Sequence, residues 1–72
     1  MTYDYSKLNG RIVEVFGNRY TFAKAMGWSN NNLSLKLNNK GSWQQKDIVK
    51  AVDLLSVDKN EIGDYFFALK VQ

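Results

Sequence analysis

The stretch from Arg19 to Leu37, Arg-Tyr-Thr-Phe-Ala-Lys-Ala-Met-Gly-Trp-Ser-Asn-Asn-Asn-Leu-Ser-Leu-Lys-Leu, constrains the fold more than any other part of this sequence. Phe22, Ala23 and Met26 recur at helical spacing and predict a short helix that buries one face. Gly27 stops that helix, because glycine takes positive φ without a Cβ clash. Ala23, four residues earlier, is small enough for a second helix to cross closely. Ser29 is placed to cap that second helix: its hydroxyl can accept from an orphan amide, and Leu33 and Leu37 at i, i+4 supply the inner face. The pattern reads as a helix-turn-helix, two short helices joined by a glycine turn.

The flanking sequence supplies elements for this unit to pack on. Asp4 is a predicted N-cap for a helix from about Tyr5 to Phe16, with Leu8, Ile12, Val15 and Phe16 on one stripe and Gly17 as its stop. Gly10 weakens such a helix by around 1 kcal/mol relative to Ala, which predicts close packing against another helix at that position. Asn18 is expected to cap the next helix and to leave Arg19 in its first turn, facing outward. After Leu37, Asn38-Asn39-Lys40-Gly41-Ser42 has turn chemistry and nothing to bury, so a loop is expected.

Ser42 and Gln45 have capping-box spacing ahead of an apolar series, opened by Trp43 and continued by Ile48, Ala51, Val52, Leu54 and Leu55, which predicts a fourth helix over about 44–55. Asp58 and Glu61 predict a second capping box and a short fifth helix through about Asp64. The tail, about 65–72, places Phe67, Leu69 and Val71 on alternate positions and suits an extended strand. Such a strand could cross the chain's own core, pair with its twin in a weak homodimer, or offer an edge to another protein. The expected fold class is therefore all-α: one domain over residues 1–72, with about five short helices, the helix-turn-helix on helices two and three, and an extended C-terminal tail.

At 72 residues the chain is close to the lower limit for a core without metal or disulfides. It contains neither Cys nor His, which excludes disulfide staples, zinc sites built from those ligands, thiol nucleophiles and histidine general bases. The carboxylates are scattered and no glycine-rich phosphate loop is present, so no enzyme activity, metal or cofactor is expected. No apolar run approaches the roughly 20 residues of a membrane span, and Met-Thr-Tyr-Asp-Tyr lacks the order of a signal peptide. A cytoplasmic protein with no membrane partner is expected.

The net charge of +3 is unevenly spread. Residues 18–50 hold Arg19, Lys24, Lys36, Lys40, Lys46 and Lys50 against Asp47 alone, whereas residues 51–72 hold Asp53, Asp58, Glu61 and Asp64 against Lys59 and Lys70. The basic zone coincides with the helix-turn-helix, as expected of a nucleic-acid-binding surface.

The order Phe22-Ala23, Gly27, Ser29, Leu33-Ser34, Leu37-Asn38 and Trp43 resembles the helix-turn-helix of temperate-phage repressors and their Cro-type counterparts. The likeness extends to Ile62-Gly63-Asp64-Tyr65-Phe66-Phe67. Within that family the chain is similar to the small Cro-like antirepressors of lactococcal phages. The resemblance implies a regulator of a lysis-lysogeny switch that favours the lytic state by counteracting the phage repressor. Its implied partners are double-stranded operator DNA and the DNA-binding domain of the cognate repressor. Two positions depart from the family pattern. Lys36 stands where an apolar residue is common, so its stem is expected to pack while its ammonium reaches out. Leu35 stands where a polar, groove-facing residue is common.

A recognition helix reads base edges with its amino-terminal outward side chains, which here are Asn30, Asn31, Asn32 and Ser34. Arg19, Lys36, Asn38, Asn39 and Lys40 are the candidates for phosphate contact, with Lys46 and Tyr20 behind them. A protein-binding reading uses other residues. Trp28 and Leu35 offer an apolar spot, and Phe67, Leu69 and Val71 offer a strand edge. Asp53, Asp58, Glu61 and Asp64 form an acidic counterpart to a basic repressor, unless they serve only as helix caps.

Overall fold

The computed structural model describes residues 2–70, and its elements are helical: α1 (Ser6–Phe16), α2 (Arg19–Met26), α3 (Asn30–Leu37), α4 (Gln45–Leu55) and α5 (Ile62–Phe66), the last entered through a 3₁₀ turn at Lys59–Glu61. Among the described residues no strand forms. One isolated antiparallel bridge joins Tyr3 to Leu69. None of the helices is long and apolar enough to cross a membrane.

The core follows from the helical spacing of the apolar residues. Leu8 and Ile12 of α1, Phe22, Ala23 and Met26 of α2, Leu33 of α3, Ala51 and Leu55 of α4, and Tyr65 and Phe66 of α5 are buried together. α1 lies at the centre of this arrangement, against α2, α4 and α5, and α2 packs in turn on α3. One end is filled by rings. Trp43 sits with its centroid 5.1 Å from Phe66, 5.4 Å from Trp28 and 6.3 Å from Tyr5, the two nearer pairs edge to face.

Several expected boundaries shift by a residue or two. Asp4 lies just outside the cap position, which Tyr5 occupies; its carboxylate accepts from the Ser6 N–H at 2.9 Å and from the Ser6 hydroxyl. Those bonds, helped by the charge of Lys70, hold the Asp4 carboxyl below the ordinary carboxylate range. α4 starts from Gln44 rather than from Ser42 and Gln45. The Asp47 carboxylate accepts from the Gln44 N–H at 3.0 Å, and a carboxylate is a stronger acceptor there than the amide of Gln45.

Asp58 accepts from the Asn60 N–H at 2.9 Å, so it caps the 3₁₀ turn, and α5 continues past Asp64 to Phe66. Burial of the adjacent Tyr65 and Phe66 favours that extra turn. Only beyond Phe67 does the tail extend, where Ala68 and Lys70 bond to the N-terminal segment. Of the alternating apolar residues, Val71 lies outside the described residues.

Gly10 is exposed, and a Cβ built on it meets no atom within 4 Å, so the close packing expected there is absent. Gly27 has equal space but a φ of +83°, where an L side chain is strained. Alanine should therefore have opposite effects at the two sites. Thermal denaturation should show Gly10→Ala stabilised by about 0.5–1 kcal/mol through helix propensity. Gly27→Ala should be destabilised by about 1–2 kcal/mol.

Candidate recognition face on helices two and three

The α2–α3 unit is fixed at each joint by local hydrogen bonds. Asn18 Oδ1 accepts from the Thr21 N–H at 2.8 Å, which starts α2 and leaves Arg19 and Tyr20 exposed in the first turn. Gly27 takes the left-handed conformation, and the Trp28 N–H donates back to the Ala23 carbonyl at 2.9 Å, closing the end of α2. Lys50 of α4 donates to the Met26 carbonyl at 3.3 Å, a second clasp on the same end. Ser29 Oγ accepts from the Asn32 N–H at 3.1 Å and starts α3. Ala23, 1 % exposed, and the fully buried Leu33 hold the two helices together from within.

The outward side of α3 carries Asn30, Asn31 and Asn32, all exposed, and Leu35, which is 40 % exposed. Leu35 lies one turn on from Asn31 and Asn32, so the amides and the leucine share a face. Tyr20, at 62 % exposure, is the large apolar side chain that α2 presents. Its place off the Phe22–Ala23–Met26 stripe already marks it as outward, although the sequence suggests phosphate contact rather than a protein-binding role for it. Lys40 is exposed in the following loop.

Other expected contact residues are engaged by bonds within the chain. The Lys36 ammonium donates to the Ser42 carbonyl at 2.7 Å and stands 4.9 Å above the Trp28 ring, so this lysine braces the loop against the aromatic end of the core. Trp28 is half-buried beneath it, packed on Trp43, and does not extend the Leu35 spot. Asn38 Nδ2 donates to the Ser34 carbonyl at 2.9 Å and lies 3.4 Å from Ser34 Oγ, which engages both residues at the end of α3. Asn39, held at a φ of +63°, clamps the N-terminal segment: its Oδ1 accepts from the Tyr3 N–H at 2.8 Å and its Nδ2 donates to the Tyr3 carbonyl at 2.9 Å.

The acidic residues are likewise divided. Asp53 and Glu61 are exposed, and Asp64 faces Lys7 at 3.8 Å with its side chain largely in solvent. Asp58 is committed as a cap. Phe67 and Leu69 are exposed on the tail. Among the described residues no group of three or more acidic side chains is placed to hold a metal ion.

A family model described as a protein of unknown function (DUF739) matches residues 1–69. The chain belongs to that family. Among solved structures it is similar to the solution structure of the modulator of repression (MOR) of the temperate bacteriophage TP901-1 from Lactococcus lactis. The two chains are 49% identical, the match covers 100% of this chain and 97% of that one, and the TM-score is 0.81. No curated protein matches. At that identity over the full length, the DUF739 chain and the phage modulator are homologous and share the all-α fold.

Proposed function

We propose that this DUF739 protein regulates a temperate-phage lysis-lysogeny switch by binding the cognate repressor through the outward face of α2 and α3, with little affinity of its own for operator DNA. Its effect is to counteract the repressor and favour the lytic state. Homology to a modulator of repression supports the regulatory part of this reading. The partner and the mode of contact rest on one observation, the engagement of the side chains that DNA binding needs. Of Arg19, Lys36, Asn38, Asn39 and Lys40, three are engaged within the chain: Lys36, Asn38 and Asn39 bond to Ser42, Ser34 and Tyr3. Lys36 held in this way neutralises no phosphate, and the two engaged amides donate to none, which lowers affinity for any duplex, whatever its sequence. Besides the exposed Arg19 and Lys40, the unit presents three adaptable amides with Leu35 on α3 and Tyr20 on α2, a set suited to a protein surface with an apolar centre and a polar rim.

A second reading, a Cro-like regulator that binds operator DNA directly, draws on Arg19 and Lys40, which are exposed, and on Asn30, Asn31 and Asn32 at the amino end of α3. One experiment separates the two. The anisotropy of a labelled switch-region duplex is followed during titration with this chain, with the repressor, and with both, at two salt concentrations. The repressor-binding reading expects no specific signal from the chain alone and a loss or redirection of repressor binding when both are present. Specific, salt-sensitive binding by the chain alone would replace it with the Cro-like one.

A further inference from the structure

We propose that the short ribbon formed by residues 2–4 and 68–70 is a self-association edge, at which the tail of a second copy of this chain adds as an antiparallel strand centred on Leu69. This ribbon lies outside α2 and α3, so its pairing does not depend on the proposed repressor-binding face.

The hydrogen-bond pattern leaves this edge open. The Asp4 N–H donates to the Ala68 carbonyl at 2.7 Å and the Lys70 N–H to the Thr2 carbonyl at 3.0 Å, so Tyr3 and Leu69 form the non-hydrogen-bonded pair between them. In such a pair each residue turns its own N–H and C=O away from the other strand, toward the ribbon's two outer edges. On the Tyr3 edge both groups are taken by the Asn39 amide, which stands in for a third strand. On the Leu69 edge the N–H and C=O have no partner among the described residues. The side chains match the backbone. Phe67 and Leu69, 54 % and 48 % exposed, fall on the same side as Tyr3, whose ring meets Phe67 edge to face at 6.2 Å. An unpaired edge beside exposed apolar side chains is a template for strand addition.

The tail itself is the strand that fits best. An edge with apolar groups on alternate positions is matched by a strand with the same alternation, and antiparallel pairing about a two-fold axis lets one segment serve as both. Centring the pair on Leu69 sets Lys70 of each copy opposite Ala68 of the other, so like charges do not face one another. One strand pair buries far less than the ~1,200 Å² of a stable complex, so the association is weak and reversible.

Sedimentation equilibrium and amide exchange of the full chain, from about 20 μM to about 1 mM, test this at concentrations where so small an interface forms. The mass is expected to rise toward the dimer while exchange at the Leu69 amide slows. Leu69→Pro removes the outward N–H and leaves both ribbon bonds, neither of which uses the Leu69 backbone. Phe67→Lys replaces a half-exposed side chain whose ring contact is with the likewise exposed Tyr3, outside the buried core. Each should move the association midpoint at least about tenfold upward while thermal unfolding stays close to the parent. A parent chain that remains monomeric throughout overturns the proposal, as does a Leu69→Pro variant that associates like the parent. Protection of the Leu69 amide only when repressor is added also overturns self-pairing and assigns the edge to that partner.

Discussion

Phe22→Ala is expected to cost about 3–5 kcal/mol, the range for emptying a buried phenylalanine site. Phe22 is fully buried, and its ring meets Phe16 edge to face with centroids 5.5 Å apart, so it joins α2 to the end of α1. A chain of 72 residues has a total stability of roughly 4–11 kcal/mol, and the substitution removes a large part of it. The collapse that could soften the loss is limited, because Leu8, Ile12 and Leu33 nearby are themselves fully buried and already packed. Urea denaturation followed by far-UV circular dichroism measures the change, with Phe16→Ala as the comparison. Phe16 is only half-buried and should cost clearly less. Equal losses at the two positions would mean that the Phe22 site refills, contrary to the packing described.

The joints of the α2–α3 unit were legible because each is decided within five residues. Asn18, Gly27 and Ser29 act through bonds to Thr21, Ala23 and Asn32, and local chemistry is what a sequence displays. The same locality explains the error at α4. Ser42–Gln45 and Gln44–Asp47 both have the spacing of a box, and the choice between them depends on which acceptor is stronger and on where Trp43 must sit in the ring cluster. In the tail, the alternation over Phe67, Leu69 and Val71 produced no strand among the described residues, only the isolated bridge of Leu69 to Tyr3, with Phe67 closing α5. Extrapolation of the extended tail back to Tyr65 failed, since Tyr65 and Phe66 are buried as neighbours on a last helical turn.

The fates of the polar side chains on the candidate face were much less visible. Asn39 meets Tyr3 across 36 positions, and Lys36 has a stem long enough to serve either solvent or its own loop. Nothing in the residue types distinguishes a lysine that holds a phosphate from one that holds a carbonyl. That distinction appears only when the fold brings Ser42 and Trp28 within reach of one ammonium. Apolar positions are legible because burial is enforced by periodicity, whereas polar contacts are settled by distances between elements.

Leu35 should therefore be the position where a single change separates recognition from folding. Leu35→Glu is expected to weaken binding to the repressor's DNA-binding domain by at least about thirtyfold, corresponding to roughly 2 kcal/mol for a central interface residue. The fold should hold, since Leu35 is 40 % exposed, glutamate is a good helix former and the buried contact of α3 is made by Leu33. The loss has two sources: the apolar contact disappears, and a carboxylate is left to be desolvated against whatever the leucine covered. Isothermal titration calorimetry gives the affinity, and unchanged far-UV circular dichroism and melting establish that the helix survives. Asn31→Ala, one turn away on the same face, sharpens the assignment. If Leu35→Glu abolishes binding while Asn31→Ala costs less than tenfold, the apolar centre carries recognition and the amides form its rim. Affinity within twofold of the parent for Leu35→Glu would remove this face from the repressor interface altogether.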